Sequence, residues 1–100
     1  MSYAVIWQQA GQPSVTGRLE FVDGWIVLSG RPLGGSPTRC SVALDEVADV
    51  HLKRSRDAQG GRGRRLLVVG GTNGTRIEVA SLEGPGALHE LADELTTRRV

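Results

Sequence analysis

Along most of the chain, apolar residues recur at every second position. In YAVIWQQ, 3–9, Val5 and Trp7 alternate with Ile6 and Gln8, and β-forming residues dominate. AGQPS ends this first strand. In TGRLEFVDGWIVLSG, 16–30, Leu19 and Phe21 point one way, Arg18 and Glu20 the other. Asp23-Gly24 is a two-residue turn signal, so the segment predicts a hairpin of 16–22 with 25–30. RPLGGSP reads as a loop and TRCSVAL, 38–44, as a weaker strand. LDEVADVHLKR, 44–54, fits two periods. Leu44, Val47 and Val50 suit a helical turn, while Val50 and Leu52 suit alternation. It predicts a short turn near 45–47 and then a strand over 48–54. RLLVVGG, 65–71, is a strand with a continuous apolar run. Thr72-Asn73-Gly74 turns it into TRIEVAS, 75–81, with Ile77 and Val79 inward and Arg76 and Glu78 outward.

The period changes after Ser81. Leu88, Leu91, Ala92 and Leu95 recur at i, i+3, i+4 and i+7, one face of a helix over about 85–97. Pro85 suits the first helical position, and Arg98 and Arg99 suit the negative end of the helix dipole. Short strands followed by one helix predict a mainly β (β-rich α+β) fold. It is a seven-stranded antiparallel sheet or barrel capped by a C-terminal helix. Residues 1–100 read as one domain, with no internal repeat and no linker.

This succession resembles the pleckstrin-homology-like superfold, including its bacterial and GRAM-type members. The resemblance lies in the GRLEFVDGWIVLSG hairpin, the SVALDEVADVHL segment, the RLLVVGGTNGTRIEVAS hairpin and the ALHELADEL helix. It is one of pattern over about the whole chain and implies a binding or interaction module rather than an enzyme. A fold resemblance does not transfer a ligand.

Composition narrows the chemistry. Four aromatic residues leave the core to Val, Leu and Ile, with Trp7 and also Trp25 assigned to it. Eleven of the twelve basic residues are Arg, which reads as coding bias of a GC-rich bacterial genome. Cys40 stands alone, so it forms no intramolecular disulfide and no Cys-based zinc site. MSYAVIWQQAGQ lacks the basic start and apolar run of a signal peptide, and no stretch approaches a membrane span. The expectation is a soluble, cytoplasmic protein without cofactors.

Net charge is +1, yet it is unevenly placed. Residues 51–65 hold six positive charges against Asp57 alone; the remainder hold six against ten carboxylates. Lys53, Arg54, Arg56, Arg62, Arg64 and Arg65 surround a glycine-rich middle. Pairing 51–54 with 64–69 makes 55–63 a connecting loop with these residues at and above its base. Glycine lets backbone N–H groups approach an anion, and Arg offers a planar fork to phosphate. These six are the candidate anion- or partner-binding residues, for an acidic protein or an anionic surface. Membrane head groups are the weaker surface. Pleckstrin-like lipid sites use the connection between the first two strands, here the nearly uncharged QQAGQPSVTGR. Nucleic acid is weaker still, because no aromatic stacking platform is visible.

Other motifs lead less far. LLVVGGTNG resembles a dinucleotide loop, but such a loop opens a helix, whereas TRIEVAS alternates with period two. Asp49 and His51 share a strand face, too few ligands to specify a metal. A small enzyme or ligand-binding barrel using Asp49, His51 and Cys40 is the alternative reading. A homodimerisation domain using a sheet face or edge is the third.

Overall fold

A computed structural model describes residues 2–54 and 65–99. The strands are β1 Ser2–Gln9, β2 Val15–Val22, β3 Trp25–Pro32, β4 Thr38–Ala43, β5 Val47–Arg54, β6 Arg65–Gly71 and β7 Arg76–Ser81. A 3₁₀ turn, Leu44–Glu46, joins β4 to β5, and helix α1 spans Pro85–Arg99. All strand pairs are antiparallel, in the order β4-β3-β2-β1-β7-β6-β5, and the sheet curls into a half-barrel capped by the helix. The fold is mainly β, as the alternation predicts. No helix among the described residues is long and apolar enough to cross a membrane.

Alternation sorts the side chains to two faces. Val5, Trp7, Leu19, Ile26, Leu28, Leu67, Val69, Ile77 and Val79 turn inward and are buried. Leu88, Leu91 and Leu95 of α1 complete this core, with Ala92 at its margin. The helix lies against β5, β6, β7 and the 3₁₀ turn. Its last turns reach β1 and β2. Tyr3 Oη donates to Glu94 Oε2 at 2.5 Å, Arg98 bonds Glu94 Oε1 at 2.9 Å, and the Arg98 guanidinium lies 4.7 Å from the Phe21 ring centre. Burial and the Glu94 carboxylate push the Tyr3 phenol well above its ordinary pKa. The Tyr3 hydrogen bond and then Arg98 hold Glu94 below its own.

The β2–β3 hairpin turns through Asp23 (φ +48°) and Gly24 (φ +82°), the paired positive dihedrals of a type I′ turn. Register places Trp25 one residue before inward Ile26, so its ring stands on the outer face, 47% exposed. This corrects the assignment of Trp25 to the core; a strand beside a two-residue turn has no freedom to swap faces. Deeper in the hairpin, Gly17 pairs with Gly30. A Cβ on Gly17 would stand 1.8 Å from Ser29 O, and one on Gly30 would stand 2.3 Å from Thr16 O. The bare backbones therefore approach where no side chain fits. Beneath them Trp7 Nε1 donates to Ser29 O at 3.1 Å.

The continuous apolar run of β6 has a structural reason. Val68 faces outward but is only 2% exposed. It stands in register between His51 of β5 and Glu78 of β7. An ion pair between Lys53 and Glu78 links the two flanking strands across β6 and covers it.

Candidate anion-binding site

Arg56, Arg62 and Arg64, three of the six basic candidates, lie outside the described residues. The other three are divided by strand parity. Lys53 stands on the outer face, half-buried and paired with Glu78. Arg54 and Arg65 are directly opposite each other at the end of the β5–β6 ladder. Their parity with Leu52 and Leu67 puts them on the inner side, toward the first turns of α1.

There Arg65 Nη1 lies 2.6 Å from His89 Nε2. A guanidinium only donates, so Nε2 is the acceptor of this contact. Leu52, Lys53, Arg54, Arg65 and His89 line a cleft of about 390 Å³ between the hairpin and the helix. Its floor is the apolar Leu52 and its rim is all nitrogen donors or imidazole. Neither Arg54 nor Arg65 pairs with a described carboxylate. Like charges directly opposite across a ladder repel. An anion between them removes that repulsion and accepts from two forks at once.

His89 was not among the six anion-binding candidates of the sequence. The signal was available in part: it follows Leu88, so it flanks the buried helix face. Only the packing of α1 onto β6 brings it to Arg65.

The residues of the alternative site do not assemble. Asp49 and His51 do share an outer face, with Nδ1 and Oδ2 2.7 Å apart. Cys40 belongs to β4, at the far edge of the sheet, and packs against the core on the inner face. Its sulfur accepts from Gln9 Nε2 at 3.4 Å, and burial raises the thiol pKa, which disfavours the thiolate. Among the described residues no three His, Cys, Asp or Glu side chains gather as a metal site.

No family model matches the chain, and neither do the curated proteins or the solved structures compared with it.

Proposed function

We propose that this domain is a non-enzymatic binding module that recognises an acidic group of a partner or an anionic surface at the basic end of β5–β6. The observation that carries this reading is the Arg54–Arg65 pair, directly opposed, free of described carboxylates and opening on a cleft beside α1. Arg56, Arg62 and Arg64 follow or precede these strands by one to three residues in sequence and add charge to the same region. The described interior supports a surface reading as well: no charged or polar residue is buried in it, so the chemistry on offer is at the rim. The half-barrel with its terminal helix is compatible with a pleckstrin-homology-like module. A bacterial cytoplasm suits the single free Cys40, which a reducing compartment keeps as a thiol.

The test is binding of polyphosphate and of acidic vesicles to the whole chain as salt is raised. Affinity should fall steeply, because each phosphate neutralised releases condensed counterions. Arg54→Glu with Arg62→Glu should remove binding while the melting transition stays in place, since the exposed charge of Arg54 contributes little to folding. No binding to either probe at low salt, or binding untouched by the double reversal, would overturn the proposal.

A further inference from the structure

The two edges of the sheet are finished differently. β5 is bulged between Val47 and Asp49 and lies against α1. Bulges and covering helices both prevent an edge from pairing with another chain. β4 pairs with β3 in unbroken register from Thr38 to Ala43, and no described strand pairs with its other side.

The phase of that open edge follows from one bond. Leu44 N–H donates to Gly24 O at 2.9 Å, and this pair continues the β3–β4 register. Bonded pairs alternate along an antiparallel ladder. Thr38, Cys40 and Val42 therefore turn their backbone groups to β3. Arg39, Ser41 and Ala43 turn theirs to the open side.

Charge lies beside this edge. Arg18, Ser29 and Arg39 form one register row on the outer face, and Arg31 stands two residues beyond Ser29. All three arginines are exposed, and none pairs with a described carboxylate. Glu20 is the one carboxylate of the same face in these strands. A groove of about 570 Å³ runs by the start of β4, lined by Thr16, Ser29, Arg31, Pro37, Thr38 and Arg39. It has two arginine forks and three hydroxyls on its walls.

From these features we infer that β4 is the docking edge for an extended acidic segment of a partner protein, which adds to the sheet as an eighth strand. Backbone groups of Arg39, Ser41 and Ala43 supply the ladder. Alternate side chains of the added strand fall on the outer face, where carboxylates meet Arg39 and Arg31. The intervening side chains fall beside Cys40 and Val42, so they are apolar. A second copy of this chain fits less well, because self-pairing would bring two sets of arginines onto one face.

An acetylated, amidated octapeptide of alternating Val and Glu is the probe, titrated into the isotopically labelled whole chain. Amide shifts centred on β4 are expected, with slowed exchange at Ser41. Arg31→Glu with Arg39→Glu should weaken binding by about tenfold or more and improve binding of the Val-Lys octapeptide. Ser41→Pro removes a donor that faces the open edge and no bond to β3, so it should abolish binding in a folded protein. Should that variant not fold, the Val-Glu peptide N-methylated at alternate amides carries the same test and should not bind. The inference is overturned by absent binding at millimolar peptide, by equal binding of the Val-Lys peptide, or by an effect of Arg54→Glu in place of the Arg31 and Arg39 reversals. A concentration-dependent dimer of the free chain that Ser41→Pro dissolves would also overturn it, assigning the edge to a second copy.

Discussion

The half of the sheet made by β5, β6 and β7 and the half made by β2, β3 and β4 bury the same kind of face by different means. On the first half α1 supplies the cover: Leu88, Leu91 and Leu95 press on the inward residues, and the free edge is bulged. On the second half the sheet covers itself. Gly17 and Gly30 let β2 and β3 close up over Trp7, whose indole fills the space and bonds Ser29 O. The helical half thereby ends in a bulged strand backed by α1, whereas the glycine half ends in a regular strand. Curvature without a helix leaves an edge available for pairing.

The largest test of this contrast is Leu91→Asp. Leu91 is 1% exposed at the helix–sheet contact. A carboxyl group there loses its hydration with no partner, and unfolding free energy measured in urea should fall by about 4 kcal/mol or more. A variant of normal stability would mean that α1 does not hold the β5–β7 half closed. Next comes Gly30→Ala, where the new methyl would meet Thr16 O and the backbone sits at φ +152°. The expected loss is about 2–3 kcal/mol by the same measurement. Combined with Trp7→Phe it should be non-additive, because Trp7 bonds the carbonyl of Ser29, the residue next to Gly30. Simple additivity would separate the glycine pair from the indole.

Smaller effects sharpen the picture at the clamp between the halves. Tyr3→Phe should cost about 1–2 kcal/mol, the range for leaving a half-buried partner without its hydrogen bond. It also carries a pH signature. The folded Glu94 pKa is lowered, first by Tyr3, so its stabilisation is complete above the ordinary carboxylate range and is lost as pH falls through the lowered folded value. Removing the Tyr3 hydroxyl should flatten that acid limb of the stability curve; an unchanged limb would assign it to Arg98 or to other carboxylates. The smallest effect belongs to the open edge. Ser41→Pro should shift stability by less than about 0.5 kcal/mol, since no β3–β4 bond is lost. A loss as large as that of Gly30→Ala would mean that β4 is not free on its outer side.

Much of the architecture was legible because side-chain period reports local geometry. Seven strands, the Asp23-Gly24 turn and the terminal helix all follow from spacings within a few residues. Leu44–Glu46 could be placed only to within a residue, since Leu44, Val47 and Val50 suit a helical turn while Val50 and Leu52 suit alternation. Trp25 misled, because poverty in aromatics suggested burial while its position in the alternation, one before Ile26, had already set it outward. The basic segment was legible as charge. That Lys53 is committed to Glu78 and that Arg54 faces Arg65 depended on the pairing of β5 with β6 and of β6 with β7.

By itself the sequence determined the elements, the face each residue takes within its strand and the concentration of arginine near the β5–β6 turn. All of these depend on neighbours along the chain. Tertiary structure decided what lies beside what: β1 between β2 and β7, His89 against Arg65, and Arg18, Arg31 and Arg39 on one face next to an open edge. These contacts join residues far apart in sequence, and no local period encodes them. They arise because a single helix can cover only one side of a seven-stranded sheet, and the glycines that curve the other side leave its last strand without a partner.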